Sequence, residues 1–491
     1  MDQKEVKNSS VKKRIWVGLA AGLYPFLHYY SNNFNIADSW VQFGFLFALC
    51  IALPIGIALI LPSIFNFGPL KKLKKYSLTT FNFIFFVCLL SLLIFHFKNT
   101  LFVGLLLGVG LLSLFLYRYL SKIIILQFLL AAMSLFTLVP RLFFLFNYDD
   151  SWKEISENVD LVKFEETPNI YMIQPDGYAN FSELRKPPYS HEDMRFENYL
   201  TDHGFVNYPN FRSNYFNTLT SNTSAFAMKH HYYGNVNRTN EKTQDAMEDI
   251  VGDNNTLRIL KNNDYTTHLF TDNSFFLLNR KLKAYDFCNI PNSKLPFYKL
   301  GGLKGVDIIS DLATALETQP EGPNFYFIER TVPGHIKNSK VGSGGIEKER
   351  VKYLESVERA DDWLIQLLDL IQKKEPNALI IIMADHGGSV GLEYSSVLKE
   401  RQLNALETSS VFSVLLSIKW SNGEVPEGIP FKSNVNLFRN LFVHLSKDSL
   451  LMKSYQADKT FIYNLEHGPM EVYECIDENG NYGYKKFEPR Q

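Results

Sequence analysis

Before Tyr148 the chain consists of apolar runs close to the length that crosses a bilayer, and nothing else in it constrains the fold as strongly. A spanning helix needs roughly 20 mostly apolar residues. Five stretches approach that need: Ile15 to Tyr30, Trp40 to Phe65, Phe81 to Phe97, Leu101 to Tyr117 and Ile123 to Phe146. The first carries Pro25 and His28 and follows Lys12, Lys13 and Arg14, which is also how a signal peptide begins. Further apolar segments follow it and no small-residue cleavage site ends it, so it reads as an uncleaved helix.

Basic loops set orientation. Lys4, Lys7, Lys12, Lys13 and Arg14 precede the first run, Lys71, Lys72, Lys74 and Lys75 follow the second, and Arg118 and Lys122 follow the fourth. The opposite loops hold only Asp38 and Lys98. The pattern predicts five spans over residues 1–147, the amino terminus inside and everything after Tyr148 outside the cytoplasm. Arg141, near the outer end of the fifth run, is placed to snorkel. The first four runs carry no charge at mid-span, so the bundle reads as an anchor and lipid platform rather than an ion path.

A mean hydropathy of -0.09 hides this division. Lys+Arg number 50 against Asp+Glu 51, a balance that excludes the basic excess of a nucleic-acid binder. Cys50 and Cys88 lie in apolar runs and read as small hydrophobes. Cys288 and Cys475 lie in the polar part, where a disulfide and two free thiols both remain open.

From about Thr167 the pattern becomes that of an α/β domain. Residues 148–166 are acidic and read as a linker, and 167–491 as one large domain. Strands are predicted at Asn169 to Gln174, Thr266 to Thr271, Asn324 to Ile328, Ala378 to Met383 and within Ser409 to Trp420. A helix is predicted from Glu349 to Lys373, where Val351, Leu354, Val357, Trp363, Leu364, Leu367, Leu368 and Ile371 recur at steps of three and four and make one buried face. Continuous apolar strands alternating with helices imply a mostly parallel sheet covered on both sides. A terminal hairpin is expected around Asn479-Gly480-Asn481.

Ligands of open α/β sheets bind beyond the carboxyl ends of strands. Asp176 follows the first strand and Asp385-His386 the fourth, each trailed by glycine. Two carboxylates and an imidazole suit Zn²⁺ or Mn²⁺ better than Mg²⁺ or Ca²⁺. An Asp-Gly at a strand end is also an ordinary turn.

The segments NIYMIQPDGYA (Asn169 to Ala179) and ALIIIMADHGG (Ala378 to Gly388) resemble the first and last metal-binding segments of the sulfatase and alkaline phosphatase superfamily. With the apolar first third, the chain is similar to its membrane-anchored branch, which includes lipoteichoic acid synthases and phosphoethanolamine transferases. The resemblance implies an α-helical membrane bundle followed by an alkaline-phosphatase-like domain with a mostly parallel central sheet. It implies one divalent metal held by Asp176, Asp385, His386 and a nucleophile hydroxyl. Within SNYFNTLTSNTSAF (Ser213 to Phe226) that hydroxyl is assigned to Thr218, with Thr220 and Ser221 as competitors. In NFYFIERTVPGHI (Asn324 to Ile336), His335 is the counterpart of a residue that holds the transferred group or acts as acid or base. Arg439 reads as structural or as a minor anion contact, and His230-His231 as a pair whose side chains diverge.

The implied activity is a transferase or hydrolase acting on phosphodiester or sulfate ester groups of lipids or surface glycans. The alternative is an inactive relative that senses lipid or binds a partner. Asp176 stands where the transferases of this branch use Glu and where sulfatases and phosphatases use Asp, so the transferred group stays open. The Cys-x-Pro-x-Arg segment of formylglycine sulfatases is absent. Asn222-Thr223-Ser224 and Asn237-Arg238-Thr239 would accept glycans only in a eukaryotic secretory pathway.

Overall fold

The computed structural model describes residues 3–33, 40–66, 68–95, 99–233, 245–277, 284–295, 303–318, 320–464 and 470–488. Asp38, Lys98 and Asn237 lie outside the described residues. The chain divides into two compact units, Met1–Tyr148 and Asp149–Gln491.

In the first unit, three helical stretches among the described residues are long and apolar enough to cross a membrane: Trp40–Ile64, Gly68–Leu93 and Leu101–Phe146. The sequence predicted five separate runs. The difference has two causes. Helix α1 (Gln3–Asn33) ends in a polar stretch around His28, Ser31, Asn32 and Asn33. The last two runs join through a single 3₁₀ turn at Tyr117–Tyr119, which separates α4 (Asn99–Leu116) from α5 (Leu120–Phe146). With α2 (Trp40–Ile64) and α3 (Gly68–Leu93), packing direction can be followed. Gly18 lies against Ile55 and Gly22 against Cys50, so α1 and α2 run antiparallel in close contact. A Cβ on Gly22 would lie 1.5 Å from the Cys50 carbonyl oxygen. Thr80 bonds Ser113 at 2.7 Å while Tyr76 meets Tyr117, so α3 and α4 are antiparallel too. Asn82 and Gln127 exchange two amide hydrogen bonds of 3.0 Å, and Asn82 also donates to the Val17 carbonyl. This buried amide pair ties α3, α5 and α1 together.

The second unit is built on a mixed, mostly parallel sheet of seven strands in the order β2-β7-β6-β1-β5-β3-β4. These are β1 (Ile170–Pro175), β2 (Val206–Asn207), β3 (Thr266–Thr271), β4 (Phe287–Cys288), β5 (Asn324–Arg330), β6 (Leu379–Met383) and β7 (Leu416–Lys419). Only β7 runs against the rest. Every residue of β1 and β6 is buried, as their continuous apolar sequences require of central strands. One face is covered by α6 (Thr218–Ala227) and α9 (Leu437–Ser446), where Phe226 meets Phe327 at 5.1 Å and Phe438 at 5.2 Å. Helix α7 (Ile346–Lys374) serves the other, with Arg330 lying 4.6 Å over the Trp363 ring. The terminal hairpin forms from β9 (Glu471–Ile476) and β10 (Tyr482–Lys486), and β8 (Thr460–Asn464) completes a small antiparallel sheet.

Two readings change. The run from Ser409 to Trp420 is not one strand: its first part lies in α8 (Ala405–Phe412), and only Leu416–Lys419 is extended. Asn404 and Glu407 form a reciprocal capping box that nucleates the helix despite its apolar, Ser-rich sequence. The stretch read as a linker belongs, from Asp149 on, to the second unit, with Trp152 buried, Lys153 paired to Asp249 at 2.5 Å and the Glu165 N–H donating to the Leu445 carbonyl at 2.8 Å. All four cysteines are free.

Candidate metal centre

The ends of β1 and β6 stand side by side because the two strands pair in parallel register, Met172 opposite Ile381 and Ile173 opposite Ile382. Each chain must then turn sharply. Gly177 does so with φ of +71°, and a Cβ there would lie 2.2 Å from the Gly334 carbonyl oxygen. The loop carrying His335 is drawn against the loop carrying Asp176 by Gly334 N–H donating to the Asp176 carbonyl at 2.7 Å. It is drawn against the loop carrying Asp385 by Ile336 N–H donating to the Gly388 carbonyl at 3.1 Å.

The side chains of Asp176, Asp385 and His386 each offer a ligand atom within 4.8 Å of the others. Among the described residues no other group of three His, Cys, Asp or Glu does this. His386 Nε2 lies 3.2 Å from Asp176 Oδ1 and 3.5 Å from Asp385 Oδ2. Thr218, first residue of α6, turns its hydroxyl into the same space, 3.3 Å from Asp176 Oδ1 and 3.4 Å from His386 Nε2. The Asn217 side chain caps this helix by accepting the Thr220 N–H. The competing hydroxyls are engaged elsewhere: Ser221 donates to the Tyr215 carbonyl at 2.8 Å and Thr220 to the Asn217 carbonyl at 3.2 Å.

This donor set fits a divalent cation. Asp385 is wholly buried, and its Oδ2 has no hydrogen-bond partner, while Gly177 N–H donates to its Oδ1 at 3.1 Å. Burial pushes the Asp385 carboxyl up to about 6 despite the His386 charge. Burial opposes charge on His386 as well, but Asp385 and Asp176 outweigh it and raise the imidazole to about 10. Asp176 goes the other way: burial raises it, but the His386 hydrogen bond and charge hold it below the usual range. The carboxylates differ because Asp176 has the shorter contact with His386, while the charge of Asp176 adds to the rise of Asp385. A buried carboxylate and a half-buried one in one site demand a positive partner. In the protein alone the imidazolium supplies it; a bound cation would do so with His386 neutral.

His335 lies beside this group, its ring centroid 5.6 Å from that of His386. Its Nδ1 bonds the Ile336 carbonyl at 2.6 Å, which leaves Nε2 as the ring nitrogen not engaged there. The other residues singled out from the sequence are placed away from the cluster. His230 bonds Tyr215 and the Ala457 carbonyl, His231 bonds the Thr220 carbonyl, and burial lowers them to about 4 and about 3. Arg439 is wholly buried and donates to the Leu451 and Met228 carbonyls, both at 2.7 Å, which is a structural role. Asn222 is wholly buried in α6, so it offers no glycan acceptor in the folded chain.

Sequence reading missed the residues that hold the loops carrying Asp176 and Asp385. Tyr353, on α7, donates to the Gly177 carbonyl at 2.9 Å and accepts from Ala179 N–H at 3.1 Å. Its ring also fills the space beside Gly388, where a Cβ would lie 2.3 Å from it. Asn434 donates to the Ala384 and Asp385 carbonyls at 3.4 and 3.2 Å. No local signal marks either residue, since their partners are distant in sequence. Tyr353→Phe strands two buried backbone groups and is expected to cost about 1–3 kcal/mol, read as a lowered unfolding midpoint; an unchanged midpoint would count against this role.

Tyr178 donates to Asp361 at 2.5 Å, linking the loop carrying Asp176 to α7. Burial pushes the Asp361 carboxyl up to about 7, against the pull of Tyr178 and Arg195. The folded chain therefore binds a proton more tightly than the unfolded chain between 3.8 and about 7. Stability contributed by that proton is lost as pH rises through this window. Asp361→Asn should abolish this slope, worth up to about 4 kcal/mol. The variant is expected to gain on the unaltered chain between pH 5 and pH 8 in unfolding free energy; parallel curves would contradict the assignment.

No family model matches the chain, and no curated protein matches it. Similar solved structures include the C-terminal periplasmic domain of EcEptC from Escherichia coli in complex with Zn, at 12% identity and TM-score 0.40 over 64% of this chain and 93% of that one. Another is the integral membrane lipooligosaccharide phosphoethanolamine transferase A from Neisseria meningitidis, at 13% identity and TM-score 0.38 over 86% and 95%. A third was solved with its substrate D-glucosamine-2-N,6-O-disulfate, at 11% identity and TM-score 0.41 over 66% and 91%.

Proposed function

We propose that the protein is a membrane-embedded, metal-dependent transferase or hydrolase acting on phosphodiester or sulfate ester groups of lipids or surface glycans. The observation that carries this reading is the convergence of the Thr218 hydroxyl with Asp176, Asp385 and His386. Asp176, Asp385, His386 and Thr218 would hold one divalent metal, Zn²⁺ or Mn²⁺ by donor type. When bound, the metal supplies Lewis-acid stabilisation of charge on the transferred oxygens and lowers the cost of ionising a hydroxyl.

The chain's own residues supply the rest. Thr218 Oγ1 attacks phosphorus or sulfur in line with the leaving oxygen, and its proton departs along the bond it makes to Asp176. The bond to the leaving alcohol breaks as the new ester bond to Thr218 forms. His335 holds the transferred group and, when both ring nitrogens carry a proton, gives the one on Nε2 to the leaving alcohol while Nδ1 keeps its bond to the Ile336 carbonyl; solvent then restores the Nε2 proton. A second alcohol, or water, then attacks the Thr218 ester and restores the hydroxyl.

The membrane setting favours a lipid donor or acceptor. Five alternating spans with the second unit outside the cytoplasm fit the loop charges and the antiparallel pairing of α1 with α2 and of α3 with α4. The test is turnover by full-length protein in detergent, supplied in turn with Zn²⁺ and Mn²⁺. The probes are bis-p-nitrophenyl phosphate, p-nitrophenyl sulfate and vesicles of phosphatidylethanolamine and phosphatidylglycerol. Release of nitrophenol or of a lipid headgroup is expected with one metal. No turnover of any probe, with no metal bound, would turn the assignment to a sensor or partner-binding module that kept the fold.

A further inference from the structure

The layer of side chains directly beneath the metal ligands is polar and closed to solvent. Gln174, Glu329 and Thr271 are register partners on β1, β5 and β3, so their side chains leave the same face of the sheet. Thr271 Oγ1 donates to Glu329 Oε2 at 2.7 Å. Helix α6 lies across this face. Thr218 reaches Asp176 at one end, and Phe226 packs on Phe327, the register partner of Met172, at the other. The helical rise from Thr218 to Phe226 is about 12 Å. The strand distance from Asp176 back to Met172 is about 13 Å. Asn222, halfway along the helix, therefore stands at the level of Gln174.

Gln174 and Asn222 are both 0% exposed. Neither the amide oxygen nor the amide nitrogen of either has a hydrogen-bond partner in the protein. Native interiors rarely leave such groups unpaired. Whatever pairs them must accept from two amide nitrogens and donate to two amide oxygens. A cation cannot accept from the nitrogens. An anion would face the carboxylates of Asp176 and Asp385, and the one basic group beside them, His386, is already engaged by both. Water does both, and a buried water needs two to four such partners. Burial holds the Glu329 carboxyl well above the usual range against the Thr271 bond, with Asp272, Asp176 and Asp385 adding to it, so Glu329 also offers a proton to the layer.

We infer that Gln174, Asn222 and Glu329 hold a buried water cluster between α6 and β1, and that these waters fasten the helix bearing Thr218 to the strand bearing Asp176. The inference goes beyond the catalytic reading and does not rest on it: absence of metal or turnover would sink that reading and leave this one standing.

The experiment is a double-mutant cycle on the full-length protein in detergent. Gln174→Met and Asn222→Leu keep the volume and remove the amides. Each alone leaves the opposite amide without its full set of partners and should lower the unfolding temperature by roughly 3–6 °C. Together they let the waters leave, and the double variant should fall no further than the worse single variant. Additive losses would overturn the proposal. A structure of the unaltered chain at a resolution that shows ordered solvent tests it without any variant. Solvent density bridging the two side chains is expected, and a direct amide-to-amide bond with no density between them would overturn it.

Discussion

Thr218→Ala is expected to slow turnover of the responsive nitrophenyl ester by at least about 10⁴-fold, the scale on which enzymes lose rate when a nucleophile is deleted. The fold should survive. Thr218 is only half-buried, and its two contacts, 3.3 and 3.4 Å, are long. The helix start is secured by Asn217, whose side chain accepts the Thr220 N–H at 3.0 Å and is untouched by the change. The unfolding temperature should therefore move by no more than about 2 °C, as for a weak partly exposed contact. Thr218→Ser should retain measurable turnover because it keeps the attacking oxygen. Neighbouring Thr220→Ala and Ser221→Ala serve as controls, since their hydroxyls bond backbone carbonyls away from the cluster. Full activity of Thr218→Ala would remove this residue from the reaction.

The other large effect is on metal. Full-length protein is expected to bind about one Zn²⁺ or Mn²⁺, and the Asp385→Ala, His386→Ala double variant none, measured by metal analysis after dialysis. Metal bound only by the folded state raises stability, by about 2.7 kcal/mol at a hundredfold excess over Kd. The unaltered chain should therefore show an unfolding temperature that rises with added Zn²⁺, and the double variant should not respond. Without metal the double variant loses the Asp385 carboxylate together with the imidazolium that offsets Asp176, so it is expected to unfold somewhat below the metal-free parent. The absent Zn²⁺ response is therefore the readout that separates a ligand from a structural residue. A double variant that still binds metal, or a parent that binds none, would dismantle the site.

How much of this was legible in the sequence depends on how local the cause is. The strands β1 and β6 announce themselves as continuous apolar runs ending at Asp-Gly and Asp-His-Gly, and they form within a residue or two of their expected bounds. The helix expected from Glu349 to Lys373 spans Ile346–Lys374, because a long amphipathic period is a strong signal. The edge strands β2 and β4, two residues each, carry no such signal. The run from Ser409 to Trp420 misled because apolar content alone does not distinguish a short buried helix from a strand, and the capping box before it settles the matter.

The sequence by itself determined that an apolar, helix-forming third precedes an α/β unit, and that two carboxylates and an imidazole sit at two strand ends. Both follow from hydrophobic period and from residue chemistry, which act over a few positions. Tertiary structure alone decided that those strand ends are neighbours, which of three hydroxyls on one short helix turns toward them, and that Tyr353 and Asn434 brace the loops. Strand order and helix rotation about its axis are set by how whole faces pack. No local stretch of sequence encodes that packing, because its energy is shared among residues far apart in the chain.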